Sequence, residues 1–238
     1  MVNAPDKAGL NRFTWDMRYP PAKTFEGMIL WSGNTQGPEA VPGAYSVRLT
    51  ADGKSYTEKL VVEKDPRLDS VTVADLAEQF ALALKIRDDL THADEIVIEV
   101  RELKKQMDDR LKSNTDAALK TSLDAFREKL SEIEEDVYQV RNRSGQDPLN
   151  FPIKLNNKIA ALGASVEHGD GKPTTASYEV FKLLNGKLVE QQNKLDALLK
   201  SALPSVNKQL TDHSLKELVP TKTETPAPKD ASAAPAGQ

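Results

Sequence analysis

Leu119, Leu123, Phe126, Leu130, Ile133, Val137 and Val140 follow one another at alternating spacings of 4 and 3 residues, and Glu and Lys are abundant between them. An apolar repeat averaging 3.5 residues lies on one side of a helix and coils that helix against a partner. A strand cannot use such a repeat, because successive side chains would fall on opposite faces. This run commits its part of the chain to a helical bundle, so other segments must supply the partner helices.

They are legible. Over residues 76–111 one seam recurs every seven residues (Leu76, Ala83, Leu90, Val97, Lys104, Leu111), and a second runs through Phe80, Ile86, Ala93, Val100 and Met107. The pattern predicts a helix of roughly 40 residues, about 60 Å long. Thr72 with Asp75 three residues on resembles a capping box. Residues 113–116 are a polar break suited to a turn and a new N-cap. After a loop at 142–150, Pro152 fits the first turn of a third, shorter helix with apolar positions Leu155, Ile159, Leu162 and Val166. Gly169, Asp170 and Gly171 interrupt it. Thr174 or Thr175 then caps a last long helix with the stripe Tyr178, Phe181, Leu184, Leu188, Leu195, Leu198 and Ala202, which Pro204 is expected to end. Residues 205–238 are expected to be a disordered tail. Its last part is mostly Pro, Ala, Thr, Ser, Lys and Asp, too little apolar surface to offset ordering entropy.

The N-terminal part reads as β-structure. Phe13, Trp15 and Met17 alternate with polar residues, which predicts a strand at 11–18 that ends at Pro20-Pro21. Residues 22–42 read as irregular, with an apolar patch at 28–31. Pro42-Gly43 is a turn signal. A strand over 44–50 places Tyr45, Val47 and Leu49 on one face, Asp52-Gly53 is a hairpin turn, and the return strand over 55–63 carries Tyr56, Leu60 and Val62. Three strands cannot close a sandwich, so the chain is expected to be the C-terminal piece of something larger. The fold class that follows is α+β, mainly α. It has a short antiparallel, truncated Ig-like β region (residues 1–66), then an antiparallel bundle of three long helices plus one short helix (67–204), then the tail (205–238).

Charge narrows the partners. Lys and Arg number 32 against 36 Asp and Glu, a net of −4, and no basic block stands apart from acidic neighbours. Nucleic acid is therefore not an expected partner, since phosphate binding needs a concentrated positive face. No apolar run approaches the ~18 residues of a membrane helix, so membrane insertion is not expected. No secretory h-region is present. The absence of cysteine removes disulfides and thiolate chemistry.

Reactive constellations are sparse. His92, His168 and His213 are far apart, and each reads as a surface or turn residue. The carboxylate pairs Asp88-Asp89, Asp108-Asp109 and Glu134-Glu135 lie on helix faces beside Lys and Arg, where solvated ion pairs are the simpler reading than a glycosidase pair. Neither a nucleophile elbow nor a phosphate-binding glycine loop occurs. No catalytic, metal or cofactor-binding residue is assigned, and no cofactor is expected.

One segment is richer in polar function than a loop requires. Between residues 138 and 158 it brings together Tyr138, Arg141, Asn142, Arg143, Gln146, Asp147, Asn150, Lys154, Asn156 and Asn157. It can be a recognition corner for a partner or glycan. The favoured alternative is a semi-buried polar knot, in which an arginine ties down loop carbonyls and Asp147 or Asn150 caps the next helix. Likewise Trp15, Tyr19, Phe25 and Trp31 can form a carbohydrate platform, but core packing is the simpler reading.

Several stretches carry a resemblance. The run Gly9-Leu-Asn-Arg-Phe-Thr-Trp-Asp-Met-Arg-Tyr-Pro20, the stretch 25–31, the stretch Val41-Pro-Gly-Ala-Tyr-Ser-Val-Arg-Leu-Thr50 and residues 138–158 resemble the C-terminal region of large bacterial exported proteins with sialidase-type (BNR) repeats. Those proteins are sortilin-like β-propellers, often labelled glycosyl hydrolases. The resemblance covers about residues 9–200. It implies export to the periplasm or cell surface, and partners in upstream propeller and Ig-like domains. Any hydrolytic chemistry would belong to the propeller, of which no repeat is present here. The expected function is thus a non-catalytic structural or interaction module. A free-standing helical adaptor is the alternative, and a glycoside hydrolase in its own right comes third.

Overall fold

Thr72 starts the long helix as the sequence predicts. Its hydroxyl accepts the Asp75 N–H at 3.1 Å, while the Asp75 carboxylate accepts the Thr72 N–H at 2.9 Å. This reciprocal pair satisfies two N–H groups that a helix start leaves unpaired. The computed structural model describes residues 5–112 and 116–221. In chain order it contains strands β1 (Gly43–Ala51) and β2 (Lys54–Val62), then helices α1 (Val73–Leu111), α2 (Ala117–Val137), α3 (Leu155–Val166) and α4 (Thr175–Asp212). The architecture is mainly α, a short two-stranded antiparallel sheet followed by a bundle of three long helices and one short one.

Helix α1 packs against α2, α3 and α4. Ala83, Ile86, Leu90, Ala93, Val97, Val100 and Met107 from the two expected seams are buried, joined by Leu82, Ile96 and Leu103. In α2, Leu119, Leu123, Phe126, Leu130, Ile133 and Val137 are all buried, as the 3.5-residue repeat requires. Asp116 caps this helix by accepting the Leu119 N–H at 2.8 Å. Lys104, a charge within the apolar seam of α1, meets Glu134 of α2 at 2.7 Å. Leu155, Ile159, Leu162 and Val166 of α3 are buried. Pro152 lies before α3 rather than in its first turn, because a 3-10 turn at Asp147–Leu149 intervenes and Lys154 is the N-cap.

Two boundaries depart from expectation. Residues 11–18 form no strand; the backbone there makes only an isolated bridge between Arg18 and Glu39. Met17 takes a left-handed φ of 61°, which breaks the extended run, and among the described residues no neighbouring strand offers a ladder. The segment instead crosses residues 38–40 through Tyr19 N–H to Pro38 O (2.9 Å) and Ala40 N–H to Met17 O (2.7 Å). Gly37 sits so close to the Tyr19 and Pro20 carbonyls that any side chain there would collide with them.

Pro204 does not end α4. The helix continues to Asp212, because its apolar stripe continues: Leu203, Val206 and Leu210 are buried in line with Leu195. Pro204 and Lys200, whose carbonyl loses its helical donor, both lie on the exposed side. Residues 205–221 are therefore not a disordered tail. They complete α4 and then fold back, with Leu218 buried against the core. The expectation of disorder for 222–238 falls outside the described residues.

A proline inside a helix costs about 3 kcal/mol relative to alanine when nothing else changes. Pro204→Ala should therefore raise stability by about 1–3 kcal/mol in urea unfolding. A change within error would mean the helix effectively ends at Pro204.

Candidate functional site

The segment after α2 divides into residues that face inward and residues that face water. Tyr138, the C-cap of α2, is buried. Its hydroxyl accepts the Ile29 N–H at 3.1 Å and donates to Gly27 O at 3.4 Å. Its ring meets Phe25 edge-on with centroids 4.9 Å apart. The Arg101 guanidinium lies over both rings, 4.6 Å from Phe25 and 5.2 Å from Tyr138. The same side chain donates to Glu134 at 2.7 Å. A buried carboxylate is thus held by two cations, Arg101 and Lys104, and one of them is stacked on aromatics.

Asn157 performs the second inward task. Its amide oxygen accepts the Trp31 N–H at 2.7 Å and its amide nitrogen donates to the Trp31 carbonyl at 2.8 Å. One side chain thereby replaces a strand neighbour for an extended segment that has none. Asn156 is buried one residue earlier, donating to Asp94 at 3.1 Å and lying 4.0 Å from the Met28 sulfur. Gln139 donates to Pro152 O at 2.8 Å. Asn142 is buried beside it.

The outward set is separate. Asp147 accepts the backbone N–H groups of Arg143 and Ser144, and the Ser144 hydroxyl at 3.1 Å. These bonds, the Arg143 one foremost, hold its carboxyl below the usual carboxylate range. Asn150 closes the 3-10 turn by its N–H to Asp147 O, at 2.8 Å. Arg141, Arg143, Gln146 and Asn150 are exposed, and Lys154 is half-buried. Arg141 lies 5.8 Å from the Phe151 ring. Asp147 organises the loop, and the cap of α3 comes from neither Asp147 nor Asn150. The ten residues therefore do not converge on one ligand-sized site. Tyr138, Asn156 and Asn157 clamp residues 25–31 onto the bundle.

Asp94 carries the largest electrostatic anomaly. It is fully buried, one carboxylate oxygen has no partner, and burial pushes its pKa up to about 7 despite the Asn156 bond. The sequence held a signal for it, because Leu90, Asp94 and Val97 follow the apolar spacing of 4 and 3. Asp89 and Glu99 on the same helix are also raised, in each case chiefly by burial. His92 bonds Gln192 of α4 at 2.8 Å, so it bridges two helices instead of standing in solvent. Among the described residues no three His, Cys, Asp or Glu side chains come together as a metal site needs. No helix among them is long and apolar enough to cross a membrane.

The aromatic set is dispersed. Tyr19 packs on Phe80, Phe25 on Tyr138, and Trp15 on Tyr45. A cleft of about 260 Å³ opens where the base of the hairpin meets α1 and the α3–α4 turn, with Met17, Val62, Leu76 and Phe80 on its walls. Arg18 spans its rim, 3.0 Å from Glu167 and 3.7 Å from Glu39.

The hairpin is the most exposed ordered element. Asp52 and Gly53 both take positive φ (50° and 74°), the two-residue turn that matches strand twist. Pairing sets Tyr45 opposite Leu60, Val47 opposite Glu58 and Leu49 opposite Tyr56, so Tyr45, Val47, Leu49, Tyr56 and Leu60 share one face, together with Lys54 and Glu58. Val62 at the base is buried, but Val47, Leu49 and Tyr56 are 55%, 53% and 57% exposed. Ser46, Arg48, Thr50, Ser55, Thr57 and Lys59 occupy the other face with Ala44 and the exposed Val61. Among the described residues the sheet has two strands, so each strand has an edge with no strand beside it.

Compared with known proteins, the chain matches no family model, no curated protein and no solved structure.

Two outcomes follow from the clamp and the buried acid. Asn157→Ala leaves the Trp31 N–H and carbonyl without partners and should cost about 1–3 kcal/mol, read by urea unfolding. The Asp94 pKa is raised in the folded state, from 3.8 to about 7. Its favourable contribution is therefore complete below about pH 4 and is lost as pH rises toward 7. Asp94→Asn should leave stability nearly unchanged at pH 4 and raise it by on the order of 2–4 kcal/mol at pH 8. A variant-minus-parent difference that is flat with pH would refute the assignment.

Proposed function

We propose that this chain is a docking module, a helical bundle that presents a β-hairpin to a partner protein and acts by binding rather than by chemistry of its own. The observation that carries this reading is the apolar hairpin face, Val47, Leu49 and Tyr56, held more than half exposed beside two free strand edges. A two-stranded hairpin is marginal in water alone, and a third strand or a packed face stabilises it. The base supports this use. Val62 is buried, Tyr45 bonds the Val41 carbonyl at 2.6 Å, and Lys64 ties down the Leu68 and Val71 carbonyls at 2.7 and 2.8 Å. These local bonds close the base of the hairpin while its outer half stays open.

As an adaptor, the chain would bring its partner to the bundle as a free-standing protein. The resemblance to the C-terminal region of exported BNR-repeat proteins supports a second version, in which the partner surface is the upstream Ig-like region of the same exported protein. Both versions use the same face.

Photo-cross-linking residues placed singly at Val47, Leu49 and Tyr56, and as controls at Ser46, Arg48 and Thr57, test the reading in cells. Adducts of one defined mass should form from the apolar-face positions and not from the controls. Equal labelling of both faces, or no adduct from either, would remove the hairpin from the function.

A further inference from the structure

A second docking feature lies at the other end of the chain and is independent of the hairpin. Helix α4 ends in a Schellman turn: Ser214 takes a φ of 58°, its N–H bonds Thr211 O at 2.9 Å, and the Leu215 N–H bonds Leu210 O at 2.8 Å. The turn sends residues 215–221 back along the bundle as an extended strap. Side chains of α1 and α4 read its backbone. Asn207 brackets Leu218, donating to its carbonyl at 3.0 Å and accepting its N–H at 2.8 Å. Gln106 brackets Val219 in the same way, at 3.0 and 2.9 Å. Arg110 donates to the carbonyls of Lys216 and Glu217 at 3.1 and 3.2 Å. The Leu218 residue is 1% exposed and packs into the core, whereas Val219 is 63% exposed.

We propose that this groove is a peptide-docking site for an extended segment presenting a leucine, filled in cis by the chain's own strap and open to a segment of the same chemistry from a partner protein. Two amides and a guanidinium select extended backbone without regard to sequence, and the leucine pocket supplies the sequence element. This is the division of labour of strand-addition recognition, carried out here by side chains. The bonds to residues 216–219 involve no backbone group of α1 or α4, so the strap can leave without unpairing either helix. While attached, it competes as an intramolecular ligand at an effective concentration on the order of millimolar. A partner segment therefore gains access when the strap is displaced or withheld.

The test uses the full-length chain carrying Leu218→Asp, which ejects the strap by burying a charge in its pocket. A fluorescent peptide of residues 214–221 in the parent sequence is titrated by anisotropy. Saturable binding to the Leu218→Asp chain is expected, at least tenfold tighter than to the parent chain, whose groove is filled. Binding should fall at least tenfold when Asn207→Ala and Gln106→Ala are added. The same peptide with Asp in place of its leucine should not bind. No saturable binding by a Leu218→Asp chain of parent-like helicity overturns the proposal. Should that variant lose its helicity, hydrogen exchange in the parent chain decides. Leu218 and Val219 amides that exchange at least tenfold faster than those of Leu188 and Leu195 place the strap in local equilibrium with its open state. Exchange of all four at one common rate makes the strap part of the core and overturns the proposal.

Discussion

Burial of the apolar stripe of α1, from Leu82 to Met107, fixes where every other element lies. All three other helices contact it. The N-terminal segment is also referred to α1, because the Lys23 N–H bonds Thr91 at 3.1 Å and the Lys23 ammonium reaches Glu95 at 3.1 Å. A stripe this long buries apolar area that scales with its length, at about 25 cal/mol per Å². It thus sets a frame stiff enough to hold segments that have no regular structure.

Those segments present the harder physical problem. Residues 19–41 and 213–221 cross the bundle as extended or irregular chain, where a backbone group without a partner costs as much as a lost hydrogen bond. The same device answers it repeatedly. A side-chain amide on a helix pairs with both the N–H and the carbonyl of one extended residue, as Asn157 does with Trp31, Asn207 with Leu218 and Gln106 with Val219. Gln79 serves the α3–α4 turn similarly, donating to Val166 O at 2.8 Å and accepting the Gly171 N–H at 3.5 Å. These amides determine position and direction without demanding a particular side chain from the segment they hold.

How much of this was legible follows from which interactions are periodic. The heptads of α1 and α2, the capping box at Thr72 and the hairpin turn at Asp52-Gly53 are local patterns and stand in the structure, except that α2 ends at Val137, short of the Val140 its repeat includes, and Leu76, Phe80 and Leu111 at the ends of the α1 seams are not fully buried. Alternation at residues 11–18 reported a face but could not report a missing neighbour, so no strand formed there. Pro204 was read as a stop because its local penalty is large. The stripe through Leu203, Val206 and Leu210 outweighed it, and that stripe was visible in the sequence had it been followed past the proline. The polar run at 138–158 was recognisable as dense in function. Its division into an inward clamp and an outward loop depends on residues more than a hundred positions away, such as Ile29 and Trp31, which no local pattern encodes.

The contrast between the bundle and the hairpin bears on use. Throughout the bundle, polar groups near the core are mostly bound: Glu134 by two cations, Asn156 by Asp94, His92 by Gln192. The hairpin reverses this economy. Val47, Leu49 and Tyr56 are brought to one face by register and then left in water, although exchanging Val47 and Leu49 for polar residues would leave the β1–β2 backbone ladder intact. An uncovered apolar face with free edges invites association. The charges on the ribbon limit where that can happen. Arg48 and Lys59 lie on the face opposite Val47, Leu49 and Tyr56, and Lys54 and Glu58 lie on the same face as those three. A partner that covers Val47, Leu49 and Tyr56 has to match the charges of Lys54 and Glu58 as well, which makes the contact selective and sets its orientation.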